Sequence, residues 1–139
     1  MLLTKVTVKQ TLEMKLSEDY SNGSNVIRAY TEGRIEVNNT AFTRSLIVGN
    51  TLLESDWCVN HIEQMSHADW QKIIAHKPEV ILIGTGNSLI FPHPSSYAPA
   101  IEQGIGVEFM DSGAACRTYN ILLSEDRNVI AGIIIQAAS

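Results

Sequence analysis

Two short runs of residues have the types and spacing for chemistry. Gly84-Thr85-Gly86-Asn87 follows a continuous apolar stretch, Val80-Ile81-Leu82-Ile83. Backbone amides of a glycine loop can converge on an anion, and ligands of α/β sheets favour the carboxyl ends of strands. The run is not a dinucleotide fingerprint, because Leu89 stands where the third glycine belongs. Nor is it a phosphate loop, having no Lys followed by Ser or Thr. The alternative is a tight turn that needs positive φ at a glycine. Arg117 and Asn120 form the second set, three residues apart and so on one face of a helix. The planar guanidinium of Arg117 can grip a carboxylate or phosphate against the glycine loop. Alternatively it ties helix to sheet through an ion pair with Glu108 or Glu125, since a buried arginine must be paired in either case. The candidate ligand-binding residues are therefore Gly84, Thr85, Gly86, Asn87, Arg117 and Asn120.

Cys116 is a weaker candidate, as a nucleophile. It sits beside Arg117 in the first turns of a helix, and both features lower a thiol pKa. His93 as base and Asp111 as its orienting partner would complete the set. A cysteine among alanines is more often a small core residue. Cys58 and Cys116 are isolated, with no CxxC or zinc spacing, and read as separate reduced thiols. His61, His67 and His76 are scattered. Glu63 and His67 share a helical spacing without a third ligand nearby, so neither a metal site nor a cofactor is expected. Trp57 and Trp70 read as core or partner-facing anchors, and Tyr97, among prolines and serines, as an exposed contact.

The elements that must position these residues follow from hydrophobic period. Residues 113–124 predict a helix capped by Asp111 or Ser112. Most of its circumference is apolar, and Arg117, Asn120 and Ser124 share a thin polar stripe, so the helix should be largely buried. Strands are predicted on either side, at 105–110 and 129–135. Ser66, with Asp69 three residues on, starts a helix that should stop near His76, because Pro78 disfavours helix at Lys77. A strand is predicted at 79–83, and its run Val80-Ile81-Leu82-Ile83 is continuously apolar, as in a strand buried on both faces. A helix from Ser95 or Ser96 to Gln103 would hold Pro99 in its tolerant first turn. Met1 to Leu53 reads as β structure. Leu12, Met14 and Leu16 alternate over a strand at 11–16, Val26–Tyr30 and Arg34–Val37 are strands, and Asn38-Asn39 turns into a strand spanning 40–48. Leu52-Leu53 begins one more short strand. The rear two-thirds alternates helix and strand, which argues for α/β layering.

These residues resemble a known family. Gly84-Thr85-Gly86, Phe91-Pro92, Gly104-Ile105-Gly106-Val107-Glu108, Met110-Asp111, Ala114 to Asn120 (AACRTYN) and Glu125-x-Arg127 occur in the order and spacing of the Mth-type domain family. The likeness spans about residues 10–138, within a chain read as one domain over 1–139. It implies a three-layer α/β domain with a mixed, mainly parallel sheet of five strands, one antiparallel to the rest, and further β structure from the N-terminal half. It implies no known catalytic activity. Eukaryotic members, the mitochondrial complex I assembly factor three among them, act in assembly and signalling through proteins.

The chain has 139 residues, net charge −5 and 45% apolar content. That describes an ordinary globular domain, and the acidic balance argues against non-specific nucleic-acid binding. No apolar run reaches membrane-spanning length, and residues 1–16 lack a signal-peptide core, so a cytoplasmic location is expected. The leading reading is a non-enzymatic protein-interaction or assembly module with a protein partner, its self-association left open. The alternatives are an anionic-ligand binder at Arg117 and the glycine loop, and a thiol-dependent enzyme at Cys116.

Overall fold

The computed structural model describes residues 7–136. The chain opens with α1 (Val8–Ser21) and a meander of β1 (Ile27–Thr31), β2 (Arg34–Val37) and β3 (Thr40–Phe42). Then come β4 (Leu46–Gly49), β5 (Leu53–Glu54), α2 (His67–Ile74) and β6 (Val80–Gly84). The rest is α3 (Ala98–Glu102), β7 (Gly106–Met110), α4 (Ser112–Ser124) and β8 (Val129–Ile133). β1, β2 and β3 form an antiparallel sheet of their own. The central sheet has the order β5-β4-β8-β6-β7. β6 is parallel to β7 and β8, while β4 is antiparallel to both β8 and β5. One strand of five, β4, thus runs against the others, as the family resemblance implies.

The continuous apolar run of β6 is explained by its place. Leu82 packs into a core with Tyr119 and Leu123 of α4 and with Ile35 and Val37 of the small sheet. Ile81 and Ile83 point the other way, into a second core with Trp70, Ile73 and Phe109. The domain therefore has three layers: α4 with the small sheet, the central sheet, and α2 with α3.

Two expectations are corrected here. Residues 11–16 are helix, not strand. Thr7 Oγ1 accepts from the Gln10 amide at 3.1 Å and Gln10 Oε1 accepts from the Thr7 amide at 2.9 Å, a capping box that starts α1. Its inward residues, Leu12, Lys15, Leu16 and Asp19, recur at helical spacing, whereas Met14 is exposed. The alternation of Leu12, Met14 and Leu16 was compatible with either period over so short a window. The strand expected across 40–48 is two strands in different sheets, β3 and β4. The chain changes sheets at Ser45, which is buried and whose Oγ accepts from the Ile135 amide at 2.9 Å. The polar break Thr43-Arg44-Ser45, with its serine buried, is the mark of that crossing. Helix α2 stops at Ile74, and Lys77 takes a left-handed φ of 52° just before Pro78.

β6 and α4 approach closely because Gly84 has no side chain. A Cβ there would lie 2.8 Å from Ser112 Cα and 3.1 Å from Ala115 Cβ. Gly84→Ala should cost about 1–3 kcal/mol, the usual scale for overpacking a tight contact. The measurement is urea unfolding, with a lower midpoint and an unchanged slope.

Candidate functional site

The glycine loop lies at the carboxyl end of β6, and its amides are donated within the protein. Thr85 N–H donates to the Met110 carbonyl at 2.8 Å, Gly86 N–H to Ser112 Oγ at 2.9 Å, and Asn87 N–H to Gln136 Oε1 at 3.0 Å. The Thr85 hydroxyl donates to the Ser88 carbonyl at 2.6 Å and accepts from the Ile90 amide at 3.1 Å. Gly86 has φ of +100°, and a Cβ there would run into the Gln136 side chain. Asn87 Nδ2 donates to Glu32 Oε1 at 3.0 Å, reaching the turn between β1 and β2. The tight-turn alternative accounts for this geometry, because each amide an anion would need already has an acceptor.

On α4, Asp111 is the cap, its Oδ1 accepting from the Ala114 amide at 2.9 Å. Arg117 is exposed, which corrects the expectation that its stripe is buried. Its expected ion pair with Glu108 or Glu125 is absent as well, since no salt bridge among the described residues includes it. Ser124 lines a groove against α1, whereas Arg117 and Asn120 fall on the seam between α4 and β1. There Arg117 lines a depression of about 270 Å³ with Arg28, Tyr30, Gly113, Cys116 and Asn120. None of Gly84, Thr85, Gly86 or Asn87 lines it. Asn120 is occupied structurally: its Oδ1 accepts from the Ile27 amide at 3.1 Å, and its Nδ2 donates to the Ile27 carbonyl at 2.6 Å. It behaves as a short stretch of neighbouring strand.

Cys116 is 3% exposed, within the core under α4. Burial pushes its thiol up to about 12, outweighing the opposing pull of Arg117, and Asp111 adds to the rise. His93 belongs to the opposite face of the central sheet, beside Ile62 and Trp70. Its Nδ1 is bonded to Ser95 Oγ at 2.8 Å. The Asp111 carboxylate is engaged as the helix cap. Cysteine, histidine and aspartate are thus not assembled, which corrects the nucleophile reading. Cys58 is a separate, exposed thiol. Among the described residues no group of three or more His, Cys, Asp or Glu side chains is placed to hold a metal.

A feature the sequence reading missed lies on the α3 side. Phe109 of β7 sits at the centre of an aromatic cluster. Tyr97 packs at 4.9 Å between ring centroids, Trp70 edge-on at 6.2 Å and Phe91 edge-on at 6.4 Å. Phe91 is nevertheless 72% exposed and Leu89 48%. Phe91, Ile62, Met65, Trp70, Ile90 and His93 line a cleft of about 320 Å³. Tyr97, expected at the surface, is half-buried in this cluster. Trp57 and Trp70 are core, and Trp57 Nε1 donates to Asp69 Oδ1 at 3.2 Å. The available signal was Phe91 and Leu89 in a proline-flanked loop with no periodic partner to bury them.

This arrangement is that of a three-layer α/β domain with a mixed five-stranded sheet and an accessory antiparallel sheet. The chain belongs to the family described as a protein of unknown function (DUF498/DUF598), matched over residues 27–134. It is 34% identical over 122 residues to the 13 kDa major membrane protein of Francisella tularensis, covering 87% of this chain and 99% of that protein. It is 28% identical over 98 residues to the mouse NADH dehydrogenase (ubiquinone) 1 alpha subcomplex assembly factor 3. That match covers 69% of this chain and 52% of the mouse protein, so the chain corresponds to about half of that relative. A solution structure from Bordetella pertussis, a Mth938-like domain, superposes with a TM-score of 0.72 at 26% identity, over 100% of this chain and 94% of that one. The resemblance to Mth-type domains and their assembly-factor relatives stands.

The two thiols should separate under Ellman's reagent. Cys58 reacts in the native protein, and Cys116 only after denaturant. The raised folded-state pKa of Cys116 gives the sign of the alkaline response. Its contribution to stability is full below the unfolded thiol's pKa of about 8.5 and is lost as pH rises towards about 12. Rapid labelling of Cys116 in folded Cys58→Ala at pH 8 would contradict this.

Proposed function

We propose that the protein is a non-enzymatic protein-binding module of the assembly-factor kind, with the ledge of Leu89 and Phe91 and the adjoining cleft as its contact surface. The observation that supports this is Phe91 itself. Its ring is held edge-on against a buried aromatic cluster, yet most of it faces solvent. An aromatic side chain already fixed in place loses little freedom on binding, and such residues beside a pocket supply most of the energy of protein interfaces. The names of the vertebrate relatives support the same class of role. A cytoplasmic location is part of this proposal. No helix among the described residues is long and apolar enough to cross a membrane. Recovery of the native chain in the membrane pellet would overturn that part.

The test is affinity capture from the source cell with native protein and with Phe91→Asp, quantified by mass spectrometry. Stoichiometric partners should fall by roughly tenfold or more, equivalent to about 1.4 kcal/mol. The variant should stay folded, losing about 1 kcal/mol for the edge-on contact with Phe109. Capture at the native level by the folded variant would end the reading.

One observation favours a second reading, binding of a small anion. Arg28 and Arg117 line the same depression, and neither has a carboxylate partner among the described residues. Two guanidinium groups there suit a phosphate or carboxylate. Phosphate or citrate should raise the melting temperature of the native protein but not of Arg117→Ala. An equal rise in both would remove the site.

A further inference from the structure

β7 is an outer strand of the central sheet, paired only with β6. In a parallel ladder, a residue turns both its N–H and its C=O to the same side, and the next residue turns them to the other. Two bonds fix which is which. Gly106 N–H donates to the Glu79 carbonyl at 3.0 Å, and the Met110 carbonyl accepts from Thr85 N–H at 2.8 Å. Gly106, Glu108 and Met110 therefore bond to β6. The N–H and C=O of Val107 and Phe109 point away from the sheet. Among the described residues, none of the turn, loop and cap bonds uses them. An edge of this kind is a template for another strand.

The two sides of that edge differ. Val107 and Phe109 direct their side chains to the α3 side, where Phe91 and Ile101 are 72% and 52% exposed. Glu108, one residue out of phase, projects to the α4 side. It is exposed, with no salt-bridge partner among the described residues. An incoming strand would meet an apolar ledge on one face and a carboxylate on the other.

We propose that β7 receives an extended segment of a partner protein as a sixth strand, with alternate apolar side chains over Phe91 and Ile101 and a lysine or arginine opposite Glu108. This rests on the protein-binding reading above and specifies the partner's chemistry. A second copy of this chain fits poorly. Antiparallel self-pairing that uses all four outward groups sets Val107 against Phe109 and Glu108 against Glu108. That is a non-hydrogen-bonded pair with Cα atoms about 4.5 Å apart, and like charges directly opposite are destabilising. Sliding the register towards Ile105 meets an amide already donated to the Ala100 carbonyl at 3.0 Å. The net charge of −5 opposes self-association further and favours a basic partner.

The experiment uses ¹⁵N-labelled full-length protein and capped heptapeptides. The probe is Thr-Val-Lys-Val-Lys-Val-Thr, and the control replaces both lysines with glutamates. In the free protein the amides of Val107 and Phe109 should exchange rapidly with deuterium. The lysine peptide should protect those two amides, and the glutamate peptide should bind roughly tenfold more weakly. Glu108→Lys, at an exposed position, should reverse that preference. The proposal is overturned by no protection at Val107 and Phe109 at saturating peptide, by a Glu108→Lys protein that still prefers lysine, or by a native protein that sediments as a dimer with both amides already protected. The outcome also separates the two readings. If Phe91→Asp loses its captured partners while Glu108→Lys keeps them in full, the contact surface survives and strand addition falls.

Discussion

One hydroxyl group sets the geometry on which most of this domain depends. Ser112, at the first turn of α4, is buried. Its Oγ donates to the Ile134 carbonyl at 2.6 Å and accepts from Gly86 N–H at 2.9 Å, while its own N–H donates to the Gly86 carbonyl at 2.8 Å. Three bonds thus join the helix to the chain leaving β6 and the chain leaving β8. A buried polar group left without a partner costs about 1–3 kcal/mol, so these groups hold one another in place. The missing Cβ of Gly84 is the steric condition for this contact, and the N–H pointing of the glycine loop is its consequence. What resembles an anion cradle in the sequence is the socket for the start of a helix.

The direction fixed there carries across the molecule. Further along α4, the buried Tyr119 hydroxyl donates to the Asn25 carbonyl at 2.8 Å, and Asn120 brackets the Ile27 peptide groups. These bonds hold the small sheet beside α4 over the same face of the central sheet. The helix is therefore a strut between two sheets, apolar over much of its circumference because it has packed neighbours on more than one side. The same enclosure explains Cys116. Proximity to a helix N-terminus and to a guanidinium favours a thiolate. Loss of water favours the thiol, and in this core burial is the larger effect.

Local signals made much of the fold legible. The continuous apolar run of β6, the cap at Asp111, the box at Ser66 and the Asn38-Asn39 turn each involve residues within a few positions of one another. Periodicity failed at α1, where four turns of helix have only one thin buried stripe, and at Ser45, where a sheet crossing looks like a continuing strand. The candidate site was less legible for a different reason. Arg117, Asn120 and Ser124 share one stripe of α4, but what the stripe faces is decided by β1 and α1. The contact between Asn120 and Ile27 spans 93 positions of sequence. Nothing local distinguishes a polar stripe that closes a strand edge from one that grips a ligand. Phe91 was missed in the converse way, because a lone aromatic in a loop has no period to reveal whether it is covered.

The strand edges show where the fold leaves its backbone open. At β1, the Ile27 peptide groups are closed by the Asn120 side chain, so another strand has less to bond to there. β5 has two residues and β3 has three, too short to offer a long ladder. β7 has five residues and is central to neither helix layer at its outer side. Proteins that must stay apart blunt such an edge with charge, and Glu108 does this against a second copy of the same chain. A charge repels only like charge, however, and the exposed Phe91 ring and Ile101 lie on the α3 side, which Glu108 does not guard. On the strand-addition proposal, the edge disfavours a like-charged copy and favours a strand of opposite charge. In the proposed strand addition, this asymmetry is what would distinguish a basic partner strand from an acidic one.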